Sequence, residues 1–142
     1  MEIIQCWQMS AELGIFMIPI RIFNPKRDVS IIKNCIFDTG FSGYIGLDQN
    51  TILMLKLNKV GVGRGISIDR QIEVENFEAI AELIDNNQAQ IAKIENIDEI
   101  KDEMSKYLIP VQSINLPIIG MRVISQFRWL MVSDKKIICL IK

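Results

Sequence analysis

The residues best suited to chemistry are Asp38, Thr39 and Gly40, which follow an apolar run at residues 31–37. Such a run predicts a buried strand, and the three residues after it predict a tight loop. The strand would deliver one carboxylate and one hydroxyl to this loop, where a carboxylate can act as a general acid or base. Taken alone, the triplet favours a plainer interpretation, a strand that ends in an Asp-initiated turn.

Histidine is absent from the 142 residues. Its absence excludes Ser-His and Cys-His nucleophilic catalysis, zinc sites with histidine ligands, and proton transfer by imidazole. Acid–base chemistry near neutral pH would therefore depend on carboxylates, Lys, Tyr or Cys with shifted pKa values. We expect neither a metal nor a cofactor.

The surroundings of the triplet give it more weight. Phe41-Ser42-Gly43 follows directly, and a second apolar run that ends in glycine, Ile118-Ile119-Gly120, comes about 80 residues later. With these motifs, residues 15–141 resemble the retropepsin-like aspartic peptidases. They are most similar to the prokaryotic group in which Phe and then Ser-Gly follow the triplet. A short helix at residues 48–55, a hairpin near several glycines and an apolar C-terminal strand occur in the order that this resemblance implies.

The resemblance implies an aspartic endopeptidase in which two facing carboxylates activate a water molecule. Two carboxylates a few ångströms apart hold one proton between them, so one accepts a proton from water while the other hydrogen-bonds the substrate carbonyl. Asp38 would be the catalytic carboxylate. The Thr39 hydroxyl would bond across the subunit boundary, and Gly40 would let its backbone N–H reach the carboxylates.

Only Asp38 has the neighbours that the motif requires. Every other aspartate is followed by residues that do not match it: Asp28, Asp48, Asp69, Asp85, Asp98, Asp102 and Asp134. A site with two carboxylates then needs two copies of the chain. We therefore expect a symmetric homodimer with its dyad axis through the site, acting on a polypeptide or peptide substrate.

A hairpin is predicted at residues 66–74, around the polar tip Asp69-Arg70-Gln71. The resemblance makes it a flap that closes over substrate, and an ordinary exposed hairpin is the alternative. The family usually has glycine near the tip, whereas here the tip is charged and Gly61, Gly63 and Gly65 predict a flexible stretch upstream. The predicted substrate-binding residues are Ser42, Ile68, Asp69, Arg70 and Ile118, with Ile45 and Ile66 as further candidates by position.

Two positions depart from the viral members of the family. Viral retropepsins pair an Asp, two residues after the triplet glycine, with an Arg directly after the later glycine. Here these positions hold Ser42 and Met121, so both charges are lost together and neither is left unpaired. Arg122, one residue further along, is either a substitute or a solvated surface residue. Ser42 either bonds the carboxylate or substrate, or packs within the loop.

The rest of the pattern is mainly β, with short apolar runs between turn residues. Strands are predicted at residues 15–23, 31–37, 44–47, 77–84, 91–94, 116–120, 129–132 and 137–141, and Asp48 is predicted as the N-cap of the short helix. Residues 95–107 have helical spacing and a charge-rich face, which is a solvated surface or else a docking surface. The last strand would be an unpaired edge unless a dimer sheet or residues 2–9 cover it.

Length and composition predict one soluble domain over residues 1–142. Hydrophobic residues make up 49% and charged residues 23% of the chain, and a net charge of −1 offers no basic field to nucleic acid or anionic lipid. No targeting segment or membrane span is evident, so a cytoplasmic location is the default. Cys6, Cys35 and Cys139 lie far apart in apolar runs, and we interpret them as buried thiols in a reducing compartment rather than as disulfides.

Together these patterns predict a mainly β fold: a retropepsin-like closed β-barrel or sandwich with one or two short helices, acting as a symmetric dimer. Two alternatives stay open. One is a catalytically weak or inactive dimeric module on the same fold that binds peptides or proteins. The other is a small all-β structural protein in which the triplet is a coincidence.

Overall fold

The computed structural model describes residues 2–66, 71–84 and 105–142, and these residues form a mainly β protein. Short runs of β-branched and aromatic residues produce most of its strands, because such side chains pack well on a pleated surface. The strands are β1 (Ile3–Gln8), β2 (Met17–Phe23), β3 (Ser30–Phe37), β4 (Ile45–Leu47), β5 (Lys59–Ile66), β6 (Gln71–Leu83), β7 (Ile109–Ser113), β8 (Ile118–Ile119), β9 (Arg128–Val132) and β10 (Ile137–Ile141). Two short helices accompany them, α1 (Gln49–Met54) and α2 (Met121–Ile124).

Most of the strands belong to one sheet, in the order β2-β3-β8-β4-β7-β6-β5. Strand β2 also pairs with β6, through residues 20–23 and 80–83. This extra pairing joins β2, the first strand of the sheet, to β6. The strands β2, β3, β8, β4, β7 and β6 therefore close into a ring. Strand β5 lies outside the ring, attached to β6.

The 13-residue strand β6 connects the ring to a projecting hairpin. Its first part pairs with β5 as far as the Ile66↔Gln71 partners, whereas the pairing with β7 reaches only to Asn76. Residues 71–75 therefore extend beyond β7, with β5 at their side. The antiparallel strands of the predicted hairpin are present, and Gln71 of its predicted tip begins β6, whereas residues 67–70 lie outside the described residues.

The glycines before the hairpin tip, predicted as a flexible stretch, form part of strand β5. Gly61, Gly63 and Gly65 pair with Asn76, Val74 and Ile72 of β6. Register partners in an antiparallel pair share one face, and glycines at every second position leave that face of β5 without side chains. Residues 77–84, predicted as a separate strand, continue β6 through Leu83.

The two chain ends meet in a three-stranded sheet of order β1-β10-β9. Strand β10 lies in the middle, with β1 on one side and β9 on the other. The apolar C-terminal strand is therefore not an unpaired edge. A dimer sheet or residues 2–9 were predicted to cover it, and it pairs with strand β1 from residues 2–9. A turn at residues 133–136 connects β9 to β10.

One hydrophobic core joins the two sheets, since residues of β1 and β10 pack in the same cluster as residues of β2, β4 and β7. Trp129 of β9 lies at the centre of this junction. Its ring centroid is 6.0 Å from that of Trp7 and 5.0 Å from that of Phe37. Its indole N–H donates a hydrogen bond of 2.8 Å to the carbonyl of Ile124. The sheet of the chain ends thereby packs against the last residue of β3, directly before Asp38.

Cys6 and Cys139 form a disulfide, so their prediction as free thiols was wrong. They are register partners in β1 and β10, where directly opposed side chains lie close together. Their sequence separation of 133 means that no local sequence pattern could predict this pairing. Because disulfides persist mainly in oxidising compartments, the cysteines no longer support a reducing one. Cys35 is a free, buried thiol, and burial raises its pKa to about 12.

Helix α1 begins at its predicted N-cap, Asp48. The Asp48 carboxylate accepts hydrogen bonds from the Thr51 hydroxyl (2.6 Å) and the Thr51 backbone N–H (3.2 Å). The hydroxyl bond is the main cause that holds the pKa of Asp48 below its ordinary value. Helix α2 was not predicted. The strand predicted at residues 91–94 and most of the helix predicted at residues 95–107 lie outside the described residues. No described helix is long and apolar enough to cross a membrane.

The disulfide yields a first prediction, because a crosslink between chain ends restricts the unfolded chain. Reduction of the wild type should lower its free energy of unfolding by about 3 kcal/mol, measured by urea denaturation with and without a dithiol reductant. The Cys6→Ala/Cys139→Ala double variant should not respond to the reductant. Peptide mapping without reduction should find the Cys6–Cys139 linkage, with Cys35 unlabelled by an alkylating agent until the protein unfolds. A wild type that is equally stable in both conditions would contradict the crosslink.

The N-cap yields a second prediction. Asp48→Ala should lower the free energy of unfolding by about 1 kcal/mol at neutral pH. Because the pKa of Asp48 is lowered in the folded state, this difference should be present above the unfolded-state pKa and should shrink as the pH falls through the folded-state pKa. The measurement is urea denaturation of both proteins from pH 7 downwards. Asp134→Ala, in the exposed β9–β10 turn, is the matched control and should leave stability nearly unchanged.

Candidate active site

The candidate site lies where β3 ends and the chain turns back towards β4, at residues 38–43, here called the Asp38 loop. The backbone N–H of Asp38 donates to the carbonyl of Ile119 at 3.1 Å. Its side-chain Oδ1 accepts a hydrogen bond of 2.9 Å from the N–H of Gly40. Asp38 is half-buried, whereas Thr39 and Gly40 are exposed. The loop backbone therefore fixes the carboxylate and leaves the loop accessible.

Strand β8 brings the second glycine motif to the same place. It lies between β3 and β4, parallel to β3 and antiparallel to β4. Because the parallel strands β3 and β8 end together, the residues that follow them meet at one edge of the sheet. Gly120 donates its N–H to Tyr44 (2.8 Å), Met121 to Phe41 (2.8 Å) and Arg122 to Gly43 (3.2 Å), in each case to the backbone carbonyl.

Position 120 requires glycine because there is no room for a side chain there, and not because of its backbone angles. Its φ of −102° is accessible to any residue. A Cβ atom at this position, however, would lie 2.3 Å from the carbonyl oxygen of Gly43 and 2.7 Å from that of Phe41. Backbone atoms cannot rotate away as a flexible side chain could. The end of β8 and the Asp38 loop are thus in direct contact, and each determines the position of the other.

A groove of about 670 Å³ opens beside the Asp38 loop. This volume is within the range of pockets that bind small molecules and side chains. Residues 40–44 form one wall, and the hairpin contributes Ile72, Val74 and Asn76 from the face of β6 that pairs with the β5 glycines. Asp38 adjoins the groove through its contact with Gly40, and is not itself a lining residue.

The predicted substrate-binding residues separate into three groups. Ser42 is exposed and lines the groove. Ile118 is buried in β8 and does not line it, and Ile45 lies in the core with no exposed surface. Strand positions alternate between core and groove, and their order in the sequence does not show which face is which. Ile68, Asp69 and Arg70 lie outside the described residues.

Several groove residues were not predicted from the sequence, among them Tyr44, Asn76 and Gln112. If residues 71–83 are taken as a single strand, the alternating positions Ile72, Val74 and Asn76 fall on one face. That pattern could have predicted one wall of the groove. Arg122 is a groove residue as well, and its guanidinium carbon lies 5.8 Å from the centroid of the Tyr44 ring. It forms no ion pair with a carboxylate in the described part of the chain, so it does not replace the charged pair of viral retropepsins there.

The loop offers a specific set of chemical groups: one carboxylate bonded to a backbone N–H, with the hydroxyls of Thr39 and Ser42 nearby in sequence. Across residues 2–66, 71–84 and 105–142, no group of three or more Cys, Asp or Glu side chains is placed to hold a metal ion. A carboxylate in this setting can exchange protons with water, and acid–base chemistry is what it can contribute.

No protein-family model matches this chain, and no curated protein or solved structure is significantly similar to it. The assignment to retropepsin-like peptidases therefore stays a prediction, based on the motifs around Asp38 and Gly120. The geometry of the Asp38 loop is the basis on which its chemistry can be argued.

The contact between Gly120 and the Asp38 loop yields a third prediction. Gly120→Ala should lower the free energy of unfolding by about 2 kcal/mol, because the added methyl group overlaps two backbone carbonyls. Urea denaturation measures the loss. The matched control is Gly61→Ala, since a Cβ at Gly61 has no atom within 4 Å. Equal stability of the two variants would show that β8 and the loop are not in this contact.

Proposed function

We propose that this chain is an aspartic endopeptidase that acts as a homodimer, with one catalytic carboxylate from the Asp38 of each subunit. The observation that carries the proposal is the fixation of the Asp38 carboxylate by the N–H of Gly40, at 2.9 Å, on a loop that is bonded to the end of β8 beside a groove. General acid–base catalysis needs a carboxylate that is held in place and accessible to substrate.

The order of the structural features supports the same proposal. The triplet follows β3, α1 comes shortly after it, the β5–β6 hairpin contributes one wall of the groove, and β8 with Gly120 returns to the loop. This is the order that the resemblance to retropepsin-like peptidases implies. The hairpin extends beyond β7 on the groove side, which suits a segment that covers bound substrate.

Hydrolysis of a peptide bond requires a second carboxylate opposite the first. One chain supplies one Asp38 loop, so the second comes from another copy across a dyad axis. Two facing carboxylates this close hold one proton between them. The ionised member accepts a proton from water, whose oxygen attacks the carbonyl carbon, while the protonated member donates to the carbonyl oxygen. Protonation of the amide nitrogen then allows the C–N bond to break.

A fourth prediction tests this function. Asp38→Asn should lower the rate of peptide cleavage at least about a thousandfold, because it removes the ionisable pair. The assay incubates both proteins with a mixed peptide library across a range of pH and identifies products by mass spectrometry. Asp134→Asn, at an exposed turn, removes an equivalent carboxylate and should retain activity. The same cleavage by purified Asp38→Asn protein would refute the proposal.

The dimer can be tested with the same variant. If subunits exchange at random, mixing equal amounts of wild type and Asp38→Asn should leave about a quarter of the dimers with two Asp38 residues. Activity per total protein should then fall with the square of the wild-type fraction, and light scattering should give the mass of two chains. A linear fall, or an active monomer, would contradict the shared site. A dimer that binds peptides without cleaving them would favour the inactive binding module instead.

A further inference from the structure

The charge of the groove is unbalanced. Its described lining residues include two arginines, Arg64 and Arg122, and no Asp or Glu. The adjoining Asp38 carboxylate forms no ion pair with either arginine in the described part of the chain. A cationic wall beside a cleft concentrates anionic groups of a ligand at that wall.

The two arginines differ in their surroundings. Arg64 is the register partner of Glu73, so on the hairpin its charge lies opposite a charge of the other sign. These partners occupy the face of the hairpin opposite to that of Ile72 and Val74, because side chains alternate along each strand. Neither arginine forms an ion pair in the described part of the chain, but Arg122 lies on α2 and has no acidic register partner as Arg64 has.

Arg122 is held at both its backbone and its head group. Its backbone N–H donates to the carbonyl of Gly43, at 3.2 Å, which attaches it to the Asp38 loop. Its guanidinium lies over the Tyr44 ring at 5.8 Å, within the distance of a cation–π contact. The side chain is nevertheless exposed, so its five N–H donors are accessible from the groove. A positioned guanidinium is well suited to bind a carboxylate through two parallel hydrogen bonds.

We infer that Arg122 determines substrate specificity by binding a carboxylate of the peptide, either an acidic side chain or a free C-terminus. This inference rests on the proposed peptidase function and names the substrate class of the same site. Apolar lining residues, including Phe41, Val74 and Ile114, contact the residues next to that carboxylate. The preferred substrate is thus a peptide in which an acidic group adjoins apolar side chains.

The test uses pairs of peptides that differ only in one carboxylate. Library products first identify a cleaved sequence, which is then made with Glu or Gln at each position near the cut, with acetylated and amidated ends. A third form has Gln and a free C-terminus, and so separates a terminal carboxylate from a side-chain one. The wild type should cleave one acidic form with a kcat/KM about tenfold above that of its neutral partner. The preference should shrink as salt is added, because the groove is open to solvent.

Variants of Arg122 then locate the preference. Arg122→Gln should reduce the ratio of kcat/KM values between acidic and neutral peptides to about one. Arg122→Lys should keep part of the acidic preference, because it retains the positive charge but lacks the planar guanidinium. Lys26→Gln removes one positive charge from an exposed turn away from the groove, and should keep the wild-type ratio and activity. Thermal unfolding of each variant checks that the fold is retained.

The outcomes separate this inference from the proposed function. Cleavage with no acidic preference, or with the same preference in Arg122→Gln, overturns the role of Arg122 and leaves the peptidase intact. If the wild type cleaves no peptide, the peptidase proposal fails, and binding of fluorescent Glu and Gln peptides decides the inference alone. Tighter binding of the Glu peptide that is lost in Arg122→Gln supports it. Equal binding, or no binding, overturns it.

Discussion

The contact between Gly120 and the backbone of the Asp38 loop is the constraint on which both the ring of strands and the site depend. Strand β8 has only two residues, yet it fills the gap between β3 and β4 and so completes the ring. It fits because the residue that follows it has no Cβ, which allows the carbonyls of Phe41 and Gly43 to approach and accept hydrogen bonds from the next turn. A displaced β8 would leave two strand edges unpaired and the carboxylate without its support.

The sheet of the chain ends supports this contact from the other side. Trp129 packs on Phe37, which precedes Asp38, and its indole N–H bonds to Ile124 at the end of α2. Helix α2 is thus held by Gly120 at its beginning and by Trp129 at its end, and it places Arg122 between these two anchors. The Cys6–Cys139 disulfide fixes β1 to β10 within the same sheet. Residues far apart in the sequence therefore combine to position a single loop.

Parts of this arrangement could be predicted from the sequence because local side chains produce them. Apolar β-branched runs mark β3 and β10, and Asp48 caps α1 through its own side chain. Strand β5 was missed because its groove face consists of glycines. Strand β7 was not predicted; it contains Pro110, which has no N–H to donate, and its pairing with β4 begins only at Val111.

The other incorrect predictions have one physical origin: each concerns a feature that depends on which strands become neighbours. Cys6 and Cys139 come together only because β1 and β10 pair in one register. Ile118 and Ile45 were placed in the groove by their position along the chain, but the face that a strand buries is decided by the elements packed on it. Sequence patterns thus located the Asp38 loop, but they could not predict which residues line the groove beside it.

The described contact between the Asp38 loop and the end of β8 contains no ion pair. Ser42 and Met121 cannot form an ion pair, and neutral backbone hydrogen bonds with close glycine packing join the loops in its place. Neutral contacts of this kind hold two segments together without the desolvation of a charge. The hydrogen bonds described between the loop and the end of β8 thus join backbone groups. The neighbouring guanidinium of Arg122 pairs with no carboxylate in the described part of the chain, and under the proposed function it binds substrate.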